Sequence, residues 1–320
     1  MLNVFLTVNI ELEFDQGKDV DLLFVDRFQR YIYGPTKRGH CGLPLLFNEL
    51  SDYGLTGSFF VDPLLALKYG LQPLQEVVGL ISEAEQEVQL QLHAGWVNQV
   101  VTRLFEEQTG QIASLRDLSL DQQSRLIKVG LDLLSHAGSS QVSAFRAGHY
   151  ELNRSLLKAL AANGIAIDCS YNKAGKAGVS DVVPEQLVLQ PVHQDGVFLY
   201  PVSVFAEQTQ RALRPLQLAS CSNREFETVL FYAIEHQWDS VVIILRSFDL
   251  MTTGQARLDP VACRRLKKLF RLLSNHPDLF KVRGFTGLEP QAVEEQPEPP
   301  VSSRLNRYLS VAEQAVRHVL

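Results

Sequence analysis

Arginine, histidine, amide and carboxylate side chains fall at the ends of short apolar runs in this chain, where parallel α/β folds place the groups that do chemistry. In Phe145-Arg146-Ala147-Gly148-His149-Tyr150, the run from Val142 to Phe145 ends in an arginine, close to a glycine that lets backbone approach closely. Thr7-Val8-Asn9-Ile10-Glu11 ends an earlier run, and Asn9 and Glu11, two apart, project from one face of an extended chain. Gln91 and His93 share a face in the same way at the end of the run from Glu87 to His93, and Arg246 lies near the end of the run from Asp239 to Asp249. Other chemistries are disfavoured by pattern. Lys173, Gly175, Lys176 and Gly178 are too irregular for a phosphate loop, and no Gly-rich nucleotide motif occurs elsewhere. Cys41, Cys169, Cys221 and Cys263 are widely spaced with no Cys-x-x-Cys pair, so buried free thiols are expected rather than disulfides or a thiolate zinc site.

The elements that must carry these residues alternate between strand and helix. Leu2 to Ile10 is rich in Val, Phe, Leu, Thr and Ile and reads as a strand buried on both faces. Helices are expected from Pro44 to Tyr53, about Pro73 to Ala84, Ser119 (a capping box with Gln122) to about Leu134, after a cap at Asn153, Glu225 to His236 and Pro260 to Ser274. Strands are expected at Thr56 to Val61, Glu87 to His93, Val142 to Phe145, after a Gly164 stop and ending in Asp168-Cys169-Ser170, Gly196 to Phe205 with Pro201 marking an edge or bulge, Asp239 to Asp249, and Phe280 to Gly284. The aromatics Phe24, Phe28, Tyr31 and Tyr33, interleaved with Arg27, Arg30, Lys37 and Arg38, suggest a lid or substrate wall with a local helix from Asp21 to Tyr31. Alternation of this kind points to a parallel closed or doubly wound α/β domain.

Composition bounds the partners. A chain of 320 residues with 46% hydrophobic and 21% charged side chains can bury a full core. A net charge of -6 and a pI near 5.8, with no long basic run, argue against nucleic acid or an anionic membrane as the main partner. The densest basic group, Arg264, Arg265, Lys267 and Lys268, reads as a solvated helix face. No apolar stretch is long enough to be a transmembrane segment and the N-terminus has no signal-peptide pattern, so a cytoplasmic location is expected. Residues 290–302 read as an acidic Pro-rich linker and residues 303–320 as an amphipathic tail helix. That helix has three candidate docking surfaces: its own barrel, a second subunit, or a membrane-associated protein partner, its few positive charges disfavouring direct membrane binding.

Several separated motifs resemble, in order, the polysaccharide deacetylases of carbohydrate esterase family 4. They are Thr7 to Glu11, Gly57-Ser58-Phe59-Phe60-Val61, Glu87 to His93 with Trp96, and Phe145-Arg146-Ala147-Gly148 with Asp168-Cys169-Ser170. Tyr200 to Phe205 and Leu245-Arg246-Ser247-Phe248-Asp249 resemble the family's late motifs. The resemblance covers about residues 3 to 290 and is closest to the branch found with bacterial surface-polysaccharide biosynthesis. It implies an irregular (β/α)7 barrel of parallel strands over residues 1–289, and removal of acetyl groups from N-acetylated sugars by one divalent metal, usually zinc.

The same resemblance puts that chemistry in doubt for this chain. The family's proton-accepting first carboxylate is replaced by Asn9, while Glu11 keeps the metal-binding position. Only His93 survives of two motif histidines, Gln91 standing in the other register, and Arg246 replaces the late-motif general acid. An amide accepts no proton at neutral pH, and an arginine delivers none. Glu11 and His93 fall short of the three protein ligands usual in a catalytic zinc site unless His149 is recruited. The expectation is a saccharide-binding protein with its reacting positions at Asn9, Arg146 and Arg246, the saccharide held by Arg146, Trp96 and Tyr200, and no cofactor. In it Arg246, with Arg146, replaces the cation and pairs with Glu11 or an acidic sugar group. The competing expectations are an active zinc enzyme using Glu11, His93 and His149, and a scaffold acting through its tail.

Overall fold

The computed structural model describes residues 1–10, 24–37, 39–100, 104–105, 111–139, 141–174, 182–183, 187–208, 212–252, 257–303, 306, 308, 310–311 and 313. Glu11 and most of the tail lie outside the described residues. The strand Leu2–Ile10 is central, and all but one of its residues are buried. It pairs in parallel with Ser240–Arg246 on one side; on the other it pairs with Gly57–Val61 along its upper half and Phe280–Val282 along its lower half. Parallel pairing then continues through Glu87–Leu92, Ala144–Ala147, Ile167–Asp168 and Val197–Leu199, ending in the antiparallel edge Val192–Gln194. The result is an α/β fold whose nine-stranded sheet curls into an irregular barrel.

The seam is irregular for a local reason. The single strand expected from Gly196 to Phe205 is split: Val197–Leu199 stays in the barrel, and Val204–Glu207 leaves for a small sheet with Leu213–Pro215 and Val301–Ser302. Pro201 between them has no N–H to continue a ladder. Backbone from Val202 to Leu218 bridges the gap instead. Val202 N donates to Tyr171 O, Ser203 N to Val242 O, and Ile244 N to Leu216 O.

Helices cover the outside of the sheet. Leu43–Asp52, Gln72–Glu83, Leu120–His136, Arg154–Ala162, Asn223–Glu235 and Pro260–Asn275 each turn an apolar face inward. Ser119 and Ser222 form capping boxes, and Asn153 Oδ1 accepts from Leu156 N at 2.7 Å. Phe24–Phe28 and the turn Gln29–Tyr33 are folded into this layer, with Phe24 and Phe28 in the core and Phe24 stacked on Tyr69. The described part of the expected lid or substrate wall is therefore packed into this outer layer.

Inside the barrel a separate cluster gathers Phe5, Phe60, Ile167, Tyr200, Val242 and Phe285. Phe285 stacks on Phe5 with centroids 4.4 Å apart and closes the floor. It is held by Glu87, whose carboxylate accepts from Phe285 N, Thr286 N and Ser58 Oγ. Gly284 is required by this approach: a Cβ there would come within 2.4 Å of that carboxylate.

One expectation about the periphery is corrected. Arg265 is not on a solvated face but is 1% exposed, because it lies four residues from both Val261 and Leu269 on the inward stripe of Pro260–Asn275. Residues 290–302 run along the barrel: Val293 N donates to Pro191 O, Gln296 Oε1 accepts from Leu189 N and Gln190 N, and Ala206 N donates to Pro300 O. Described tail residues meet the chain's own barrel, with Ser310 Oγ on Ser220 O and Glu313 on Arg265.

Candidate functional site

The C-terminal strand ends bring the polar residues together at one mouth. Asn9 is the register partner of Arg246 on one side and of Phe60 on the other, and Gln91 is the register partner of Arg146. Phe60 pairs in turn with Gln89, two residues before Gln91, and paired residues in a parallel sheet share a face, so these side chains all project to the same side of the sheet.

Arg146 is the centre of this group and is fully buried. Its Nη1 donates to Asn9 Oδ1 at 2.8 Å and to Thr7 Oγ1 at 3.0 Å, and its Nε donates to Cys169 O at 3.1 Å. The guanidinium lies over the Phe60 ring at 4.3 Å, with the Tyr150 ring 5.9 Å away. Nη2 has no hydrogen-bond partner among the described residues, and neither has Oε1 of Gln91, which is 1% exposed. The strand end that carries Arg146 is pinned from behind. Ser170 Oγ accepts from Ala147 N and donates to Asp168 Oδ2, and Asp168 Oδ1 accepts from Ser170 N. Burial pushes the Asp168 carboxyl up to about 6, with the Ser170 hydrogen bonds and Arg146 pulling the other way.

His93 stands beside this group. Its Nδ1 lies 2.9 Å from Asp62 Oδ2, and its backbone N donates to the same oxygen. A carboxylate only accepts, so Nδ1 carries a proton toward Asp62. The His149 ring is 5.5 Å from that of His93. Gly148 makes the approach possible, since a Cβ there would fall 2.1 Å from the His93 ring. His149 and Tyr150 both take left-handed backbone, with φ of 55° and 60°, at a cost of roughly 1–2 kcal/mol each. On the far side Arg246 is held by Asp249: Nε donates to Oδ1 at 3.1 Å, and the guanidinium lies over Phe248.

The structure thus joins Asn9, Gln91, Arg146 and Arg246 in one group with His93 and His149 next to it. It separates two others. Tyr200 is 2% exposed, packs on Phe5 and Phe285, and its hydroxyl meets the backbone of Gln291, so it belongs to the barrel interior and floor. Trp96 is 6% exposed and packs edge-on against Tyr69 in the outer core. No group of three or more metal-ligating side chains occurs among the described residues, which exclude Glu11. Asp62 and the role of Asp249 were missed by sequence reasoning. Asp62 follows directly on the buried strand Gly57–Val61, and that strand-end position was the available signal.

No protein-family profile matches the chain, and no curated protein matches it. Among solved structures, it is similar to a Mycobacterium smegmatis protein proposed to be a polysaccharide deacetylase, at 17% identity over 93% of this chain and 94% of that one, with a TM-score of 0.55. A family 4 carbohydrate esterase from Streptomyces lividans in complex with acetate matches at 12% identity over 92% of this chain and 98% of that one, with a TM-score of 0.43. A family 4 pseudoenzyme from Bacillus anthracis matches at 9% identity over 85% of this chain and 60% of that one, with a TM-score of 0.40. The chain has the fold of the polysaccharide deacetylases.

Proposed function

We propose that this deacetylase-fold protein binds an N-acetylated or acidic saccharide in bacterial surface-polysaccharide metabolism, in the cytoplasm, with metal-dependent deacetylation lost. The observation that carries the reading is the 2.8 Å contact from Arg146 to Asn9. An amide occupies the position where the resemblance puts the proton-accepting carboxylate, and the general-base step it would have carried is worth about 10² to 10⁴ in rate. A divalent cation beside Asn9 would face the buried charge of Arg146, whose Nη1 already occupies Asn9 Oδ1, so the described residues fit a metal poorly. Free cysteines, Cys41, Cys169 and Cys221 of them buried, suit a reducing compartment. The test is isothermal titration with N-acetylated and uronic-acid-containing oligosaccharides, alongside an assay for released acetate. Saccharide binding without acetate release is expected; acetate release at enzymatic rates overturns the reading.

The Asp62–His93 pair favours a second reading, an active N-deacetylase using Glu11, His93 and His149, because metal-bound histidines commonly donate their other ring N–H to a carboxylate. Zinc, when bound, would supply Lewis-acid chemistry at that point. Under this reading His93→Ala abolishes both bound metal and turnover, and unchanged turnover ends it.

A further inference from the structure

We infer that the barrel mouth contains a site for an anionic oxygen group, a sugar carboxylate or phosphate flanked by hydroxyls, seated on Nη2 of Arg146 and Oε1 of Gln91 beside the ring of Tyr150. The inference rests on the saccharide-binding reading only for the identity of the molecule that bears the group.

The argument starts from charge. Arg146 is permanently ionised and fully buried, and the acceptors it meets, Asn9 Oδ1, Thr7 Oγ1 and Cys169 O, are all neutral. It makes no ion pair with a described carboxylate, although burying an ionised group is costly unless it is paired. Its bonded edges face Thr7, Asn9 and Cys169, which leaves Nη2 as the atom still without a partner among the described residues. A guanidinium fork is matched by oxyanions more closely than by any other ligand class.

The second observation lies on the neighbouring strand. Gln91 is the register partner of Arg146, is 1% exposed, and has its acceptor Oε1 without a partner among the described residues. An anion alone satisfies only Nη2. An anionic group with an adjacent hydroxyl satisfies both atoms, its oxygen accepting from Nη2 and its O–H donating to Gln91. Sugar acids and sugar phosphates have this arrangement.

Tyr150 borders the guanidinium. Its ring lies 5.9 Å from the guanidinium carbon, on a turn where His149 and Tyr150 both hold positive φ. Because Arg146 and Gln91 are buried, entry of the ligand requires a neighbouring segment such as this turn to move.

The test is titration calorimetry on the full chain with glucuronic acid, glucose 1-phosphate and neutral glucose, repeated on Gln91→Glu and Arg146→Lys. One of the two acids is expected to bind roughly 10-fold or more tightly than glucose, the size of a hydrogen bond to a charged group, and which acid wins identifies the source of the anion. Gln91→Glu places a carboxylate beside the guanidinium without truncating the core and is expected to abolish the acid-over-neutral preference, even if Arg146→Lys does not fold. Equal binding of all three sugars, or a preference that survives Gln91→Glu, overturns the site. An N-acetylated oligosaccharide that binds where neither acid shows preference removes the anion site and leaves the saccharide reading standing. Acid-selective binding with no oligosaccharide binding does the reverse.

Discussion

Arg146 and Arg265 are both buried to within about 1% exposure, yet their surroundings differ in kind. Arg265 is met by the chain's own carboxylate: Glu313 Oε2 accepts from its Nε at 2.7 Å, and Nη1 reaches the carbonyls of Leu218 and Ala219. Arg146 is met by an amide, a hydroxyl and a carbonyl. One arginine is neutralised from within and ties the tail to the barrel; the other has no carboxylate hydrogen-bonded to it among the described residues. A buried charge is therefore informative chiefly through what compensates it, and the same residue type serves architecture in one place and recognition in the other.

Breaking the internally matched pair has the largest expected effect. Glu313→Gln leaves Arg265 without its counter-charge and is expected to lower stability by about 2 kcal/mol in urea unfolding, below the 3–5 kcal/mol of a fully buried pair because Glu313 is 40% exposed. No loss would mean that the pair is not formed. Making the two arginines alike comes next. Asn9→Asp gives Arg146 a carboxylate and is expected to add about 1 kcal/mol at pH 7. That carboxylate would have a depressed folded-state pKa, so the gain is present above about pH 4 and fades as pH falls. A destabilised variant at pH 7 would contradict the view that Arg146 lacks a paired carboxylate among the described residues.

A smaller effect sharpens the picture behind the mouth. The folded-state pKa of Asp168 is raised to about 6, so the folded state holds its proton more tightly than the unfolded chain does. Stability is then lost as pH rises from about 4 to about 6 and stays lower above that. Asp168→Asn is expected to flatten this slope in thermal unfolding scans, by on the order of 1 kcal/mol across the window once the lost Ser170 contact is offset. An unchanged slope would place the titration elsewhere.

Much of the fold was legible because local signals and tertiary demand agreed. The apolar run of Leu2–Ile10, the capping box at Ser119 and the cap at Asn153 each mark elements seen at those positions. Where they disagreed, tertiary context won. The run after Gly196 looks continuous by hydrophobicity, but Pro201 cannot donate and the strand splits between two sheets. Arg265 was misread as exposed because charge density outweighed its i±4 neighbours Val261 and Leu269. At the site, strand-end position located Asn9, Gln91, Arg146 and Arg246, since register in a parallel sheet converts such positions into one rim. Side-chain direction was not legible: Tyr200 follows a strand end yet packs on Phe5 and Phe285 at the floor. Nor was the Asp62–His93 pair, which joins residues from different strand ends.

The most direct test of the central claim is elemental analysis of metal per chain in the full-length protein as isolated from cells. The account predicts zinc and other transition metals far below one per chain, with saccharide binding unaffected by a chelator. One tightly held ion per chain, whose removal abolishes deacetylation of an N-acetylated oligosaccharide, would contradict it.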